Sequence, residues 1–298
     1  MKKVLITGAV GNVGMEVIKS LSKLARGFEI IAAVRNIEKD KIQLAEFRTA
    51  LKEFDFTDTD TFQPALQDCD VLFLMRPPQI SNVGKYFKPL IDAAIREGVS
   101  HIVFLSVQGV EKSSVIPHHK IEKLIVESKI PYTFLRPAYF MQNFTTTLRQ
   151  DLIYKKKIFL PAGKVVFTLI DIRDIGEVAA RIIAEPATYL NKCYELTCDD
   201  RLTFKEMAIQ LSDTIGTTIN YQSPSLLSFF RAKRRENIPV AFILVMIMLH
   251  YLPRFQKAPA LSDWVKKITG RPPVTFKQFI IDHKARLQIN DVPDEHIS

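Results

Sequence analysis

The sequence predicts an α/β fold: a doubly wound parallel sheet with a smaller, mostly helical C-terminal lobe. Three observations predict it. The turn Thr7-Gly8-Ala9-Val10-Gly11-Asn12-Val13-Gly14 stands between an apolar strand and a segment with apolar residues at helical spacing. Short apolar runs then alternate with helical patterns as far as Pro137, the arrangement of βαβ units. Past about residue 150 the alternation loosens and helical patterns take over. The division expected is a nucleotide-binding domain over 1–150, joined again by 165–197, and a substrate or lid lobe over 198–298 that covers the carboxyl ends of the strands.

The elements follow in order. Lys2 to Ile6 is a buried strand, and Met15 to Leu21 a helix behind the turn. Glu29 to Val34 is the second strand, ending at Arg35-Asn36. Asp58 is the expected cap of a helix from Thr59 to Gln67. Val71 to Met75 is a strand broken by Arg76-Pro77-Pro78, and Asn82 to Glu97 a helix ended by Gly98. His101 to Leu105 is a strand ending at Ser106, and Pro117 opens a helix to Ser128. Pro131 to Pro137 is a strand and turn. Strands are then expected at 165–170 and 192–197, and helices at 174–184 and 204–215, the last capped by Thr203.

At 298 residues the chain is long enough for a full core. Three cysteines, Cys69, Cys193 and Cys198, are too few for a disulfide framework and point to a reducing, cytoplasmic setting. A net charge of +9 points to anionic partners, but the basic residues are spread along the chain and no nucleic-acid-binding signature is present, so none is expected to bind. The apolar run after Met1-Lys2-Lys3 meets Gly8 too soon for a signal peptide. Val240 to Leu249 is about half the length of a spanning helix, and it is read as a buried or lid helix without stable membrane insertion. The basic run Arg231-Ala232-Lys233-Arg234-Arg235 before it leaves room for contact with a membrane surface.

Strand, glycine turn and helix in that order build an anion site. Gly8 permits a tight turn, Gly11 lets backbone approach a pyrophosphate, and Gly14 lets the helix pack close. The spacing G-x-x-G-x-x-G is one residue wider than the G-x-G-x-x-G fingerprint. Arg35 stands about where an NAD site carries an acidic residue on the ribose. A guanidinium there pairs with a 2′-phosphate, so NADP(H) is expected over NAD(H). Asp55 is placed to accept from an adenine amino group, and the Met75 strand end to approach the nicotinamide ribose. None of the eight tyrosines has a lysine four residues later, so the Tyr-x-x-x-Lys proton relay of short-chain dehydrogenases is absent. No metal-ligand spacing and no G-x-S-x-G elbow occur, so neither a metal nor a serine nucleophile is expected. His118, close after Ser106, is the candidate histidine for cofactor or substrate.

The glycine turn, Val34-Arg35-Asn36, Asp55-Phe56, the run Leu135-Arg136-Pro137-Ala138-Tyr139-Phe140-Met141-Gln142-Asn143-Phe144, and Asp171-Ile172-Arg173-Asp174-Ile175-Gly176 together resemble the NmrA-like atypical short-chain dehydrogenase/reductases. The resemblance covers about residues 1 to 220 and implies a Rossmann-type sheet. It implies an NADPH-dependent reductase of a quinone-like or other conjugated small molecule, or alternatively a non-catalytic NADP(H) sensor acting through a protein partner. Cofactor contacts would come from Thr7, Gly8, Gly11, Asn12, Val13, Gly14, Arg35, Asp55, Phe56, Met75, Arg76, Pro77, Ser106, His118, Ala138 and Phe140. Tyr139 and Asn143 would face substrate, with His118 and Tyr139 as catalytic candidates. His118 stands where relatives carry the relay lysine or already a histidine, and Ser114 where they carry the tyrosine. No flavin is implied, and the oligomeric state is left open.

Overall fold

A computed structural model describes residues 1–24 and 27–288, so the end of the expected lobe, 289–298, lies outside the described residues. In chain order come β1 (Lys2–Ile6), α1 (Asn12–Lys23), β2 (Phe28–Val34), α2 (Ile37–Leu44), β3 (Thr49–Glu53), α3 (Phe62–Leu66), β4 (Val71–Met75), α4 (Val83–Arg96), β5 (His101–Leu105), α5 (Pro117–Glu127) and β6 (Tyr132–Pro137). Next are β7 (Tyr139–Phe140), α6 (Arg149–Lys155), β8 (Lys157–Phe159), β9 (Val166–Ile170), α7 (Ile172–Ala184), α8 (Pro186–Tyr189), β10 (Lys192–Leu196), β11 (Arg201–Thr203), α9 (Phe204–Ile215) and β12 (Asn220–Gln222). The described chain closes with α10 (Leu226–Arg235), α11 (Val240–Tyr251), α12 (Trp264–Thr269), α13 (Phe276–Asp282) and α14 (Lys284–Leu287).

Two compact units result. The first holds Met1–Ala138, Ile172–Thr197 and Ser262–Pro273; the second holds Tyr139–Asp171, Cys198–Leu261 and Val274–Ser298. The passage to the second lobe at 198 is where the sequence puts it, whereas the first boundary falls at Ala138 and not at 150, and the return begins at Ile172 and not at 165. The first unit ends at Ala138, whose N–H donates to the Leu196 carbonyl beside β10, and 262–273 return to it.

The first unit is a seven-stranded sheet in the order β10-β6-β5-β4-β1-β2-β3, every pairing parallel. Central strands buried on both faces explain their unbroken apolar runs. Leu5, Ile31, Leu72, Leu74, Ile102 and Phe104 point into one core with α3, α4 and α5. Their neighbours Val4, Ile6, Ala32, Phe73 and Val103 are buried on the opposite face. A Cβ at Gly176 of α7 would meet the backbone of Glu16 in α1 at 2.6 Å, so these two helices approach at backbone distance. The sequence pattern does not separate α2 and β3. The first is charge-rich and the second is a partly exposed edge strand. The helix expected over Thr59 to Gln67 is a 3₁₀ turn at Thr59–Thr61 followed by α3, with Asp58 accepting from the Asp60 N–H at 3.1 Å.

In the second unit, β11, β9 and β7 form a three-stranded sheet and β12 pairs with β8. Its core gathers Phe144, Leu152, Phe167, Phe204, Phe229, Phe276 and Phe279. Thr203 and Glu206 close a reciprocal capping box at the start of α9. Of the buried or lid helix expected at Val240 to Leu249, the helix forms and the buried alternative is corrected. In α11 Ile243, Met246 and His250 are buried, while Val240, Phe242, Leu244, Val245, Met248 and Leu249 are exposed. An apolar run gives no polar face to mark the solvent side, so periodicity cannot tell a fully buried helix from a half-buried one.

His101 of β5 is 2% exposed, and its Nε2 lies 2.9 Å from the Thr133 hydroxyl. That hydroxyl donates to the Tyr189 carbonyl, so the imidazole nitrogen must be the donor to it. Burial, with Lys2 adding repulsion, pushes the His101 pKa down to about 4. The unfolded chain therefore takes up the proton first, and the stability lent by the neutral ring is present above pH 6.5 and lost as pH falls toward 4. Between pH 7 and pH 5 this group alone is expected to cost roughly 2 kcal/mol of unfolding free energy. Urea unfolding of His101→Gln should show a correspondingly smaller loss over that interval; an identical loss in both proteins would reject the assignment.

Candidate functional site

The site in the first unit grows from the β1–α1 turn. Gly8 adopts φ +61°, a conformation that favours glycine, and a Cβ there would meet the Met75 Cε at 2.4 Å. The Gly11 N–H donates to the Gly8 carbonyl at 2.9 Å. At Gly14 a Cβ would stand 2.2 Å from that same Gly8 oxygen, whereas at Gly11 the distance is 3.1 Å. Gly14 is thus the residue on which the tight turn most depends. Gly11 is the N-cap of α1 and supplies no side-chain cap. The amides of Asn12, Val13 and Gly14 belong to the first turn, whose N–H groups have no partner inside a helix and lie at the positive end of its dipole.

Thr7 is fully buried, and its hydroxyl donates to the Phe73 carbonyl at 3.1 Å and accepts from the Met75 N–H at 2.8 Å. Its hydroxyl therefore splices the ends of β1 and β4. At the end of β5, Ser106 is buried with its Oγ unpartnered. An orphaned buried hydroxyl beside these strand ends fits a site meant to receive a polar ligand.

A cavity of about 310 Å³ opens at the ends of β1, β2 and β4. It brings together Gly8, Arg35, Asp55, Phe56 and Pro77 as the sequence suggests, and adds Asp40, Thr57, Gln79 and Ile80. Asp55 Oδ1 accepts from the N–H and the hydroxyl of Thr57, both at 2.8 Å. These bonds, the backbone one foremost, together with the Arg35 charge hold its carboxyl below the usual range against a smaller burial effect. Asp40 was not singled out because it sits in the charge-rich stretch Ile37-Glu38-Lys39-Asp40-Lys41. The structure buries it, unlike its neighbours.

Arg76 folds the loop after β4. Its Nη1 donates to the carbonyls of Pro77, Pro78 and Ile80 at 3.0, 3.0 and 2.8 Å. Its Nε donates to His118 Nε2 at 3.4 Å. Burial first and the Arg76 charge second push His118 down to about 3, so the ring is neutral and accepts at Nε2. Ser114 is exposed. His119 turns away toward the Val110 carbonyl at 3.3 Å.

Ala138 is buried at the end of the first unit, and Tyr139, Phe140 and Asn143 belong to the second. There the Tyr139 hydroxyl lies 3.1 Å from His250 Nε2. His250 Nδ1 lies 2.6 Å from the Met246 carbonyl, which can only accept, so Nδ1 carries the proton and Nε2 accepts from the tyrosine. Burial lowers the His250 pKa to about 4 and raises that of Tyr139, with Asn143 hydrogen bonding opposing the rise. Phe167 and Phe204 complete an aromatic wall, with Tyr139 centroid distances of 5.6 and 5.7 Å. His250 escaped the sequence reading because it lies 111 positions from Tyr139 in an otherwise apolar run. Among the described residues no group of His, Cys, Asp or Glu is placed to hold a metal ion.

The model of the NmrA-like family matches residues 1–253. The prestalk A differentiation protein A of Dictyostelium discoideum is 27% identical over 278 residues, covering 93% of this chain and 90% of its own. An NAD(P)H azoreductase of Xenophilus azovorans is 28% identical over 287 residues, covering 95% of this chain and 98% of its own. The NADPH-dependent quinone oxidoreductase of Escherichia coli, solved in complex with NADPH, superimposes with a TM-score of 0.84 at 26% identity, over 94% of this chain and 99% of that one.

The glycine distances make a graded prediction. Gly14→Ala is expected to lower unfolding free energy by about 1–3 kcal/mol, the range of overpacking against a fixed backbone. Gly11→Ala should cost less than half as much. Equal losses in urea titrations would mean that the Gly8 carbonyl is not the constraint.

Proposed function

The chain belongs to the NmrA-like family, and from that premise we propose that its first unit binds NADP(H) and that the protein reduces a quinone-like or other conjugated small molecule. The observation that carries this reading is the cavity that joins the Gly8 turn to Arg35 and Asp55. The α1 amides from Asn12 to Gly14 would hold the pyrophosphate and Arg35 the 2′-phosphate. Asp55 and Phe56 would flank adenine. Met75, Arg76, Pro77 and Ser106 would line the nicotinamide ribose side. When bound, the dinucleotide supplies a hydride. That the E. coli quinone reductase was solved with NADPH, and that the X. azovorans relative is an azoreductase, support both the cofactor and the substrate class.

The chain's own groups divide the remaining work. His118, neutral and already accepting from Arg76, is a positioning group and not a proton donor near neutral pH. Tyr139 donates its phenolic proton to His250 and burial raises its pKa, so in this reading it is an orienting group for substrate and not an acid. Three free cysteines accord with a reducing, cytoplasmic setting.

The test is NADPH oxidation against a panel of quinones and azo dyes. Tight binding of NADPH and NADP⁺ with no turnover on any acceptor would favour a non-catalytic sensor instead. Cofactor choice is tested separately. A charge-assisted arginine–phosphate contact is worth about 1.5–3 kcal/mol, so Arg35→Ala should weaken NADPH binding by roughly tenfold to a hundredfold. NADH binding should change less. Dissociation constants at one ionic strength decide it, and equal losses for both nucleotides would remove Arg35 from the phosphate site.

A further inference from the structure

Helix α11 carries no charged residue over its twelve positions. A helix that is apolar all round is at rest either inside a large core or in contact with lipid. Here the buried positions Ile243, Met246 and His250 form a single stripe. The remainder is open: Leu244 is 54% exposed, Leu249 48%, and Phe255 just beyond 74%. An apolar patch of this kind marks a contact surface and not scattered surface hydrophobes.

The charges on either side say what kind of surface. Arg231, Arg234 and Arg235 precede the helix and Arg254 and Lys257 follow it, all exposed. The only carboxylate between residues 231 and 257 is Glu236. It is occupied from within the unit, accepting from Lys233 at 2.8 Å and from Lys155. Lys233 also donates to the buried Asp151 at 2.6 Å, which fixes the end of α10. The strip is thus apolar along its length and cationic at both ends. A second copy of this chain would bring the same cations to the same rim.

From this complementarity we infer that α11 and its arginine flanks dock the protein on an anionic lipid bilayer. At about 18 Å the helix is too short to cross a hydrocarbon core of about 30 Å. Among the described residues no helix is long and apolar enough to do so. It lies in the interface, with its open side chains among the acyl chains and the arginines at the headgroup phosphates. The inference stands apart from the nucleotide site and does not depend on it.

Sedimentation of the full chain with sucrose-loaded vesicles tests it. Binding is expected to phosphatidylcholine vesicles containing about one-third phosphatidylserine, and not to pure phosphatidylcholine, with release at high salt. Neutralising two exposed cations in Arg231→Gln/Arg235→Gln should weaken partitioning by about thirtyfold. Leu244→Ser/Leu249→Ser should abolish it while lowering the melting temperature only slightly, since both side chains are about half exposed. Absence of binding to the anionic vesicles would overturn the inference, as would undiminished binding of both variants. So would self-association in sedimentation velocity that the serine variant abolishes, because a second copy would then be what covers the helix.

Discussion

A methyl group at residue 14 would stand 2.2 Å from the Gly8 carbonyl oxygen, and the first unit is built on there being none. That near contact lets α1 begin directly beneath the turn, so that its unpaired amides open at the carboxyl end of β1. The neighbouring strand ends are brought level by Thr7, whose hydroxyl bridges Phe73 and Met75. Arg76 then holds the next loop by three carbonyls. The cavity is what remains between these fixed backbones and Arg35, Asp40 and Asp55. A polar ligand there would meet backbone dipoles already held in place.

The same economy governs the protons. Burial keeps three imidazoles, those of His101, His118 and His250, neutral well below the ordinary histidine range. His118 accepts from one cation and therefore has no proton to give at that nitrogen. His250 uses its own proton on a backbone carbonyl, which leaves Nε2 to orient Tyr139. Each ring has its tautomer set by a neighbour, and that choice decides what the partner side chain can do.

How much of this was legible depended on whether a residue's environment was local. The central strands were readable because burial on both faces forces continuous apolar runs such as Val71 to Met75. The edge strand Thr49–Glu53 was not, since none of its five residues is fully buried. Gly8, Arg35, Asp55 and Phe56 stand out in the sequence and line one cavity, whereas Gly11 to Gly14 lie outside its lining. Asp40 was lost among like charges, and His250 gains its role only through a partner distant in the chain. The sequence does not show that the Thr7 hydroxyl bridges Phe73 and Met75, or that Arg76 Nη1 gathers three carbonyls while its Nε meets His118. Residue type tells that a hydrogen bond will be made and leaves open with whom. In α11 the sequence reports apolarity in every direction and so cannot say which directions are filled.

The two units are interleaved along the chain, which leaves the first at Ala138, returns at Ile172, leaves at Thr197 and comes back for Ser262–Pro273. Helix α7, packed on α1 at backbone distance through Gly176, and the edge strand β10 both arrive with the second visit. During synthesis, a nascent chain ending near Ala138 therefore has six of the seven strands and lacks the helix that shields α1. The apolar face bearing Val4, Ile6 and Phe73 must wait for some fifty further residues to emerge, roughly several seconds of translation. In that interval the half-built sheet exposes apolar surface of the kind that aggregates. No single cut in the gene separates one unit from the other.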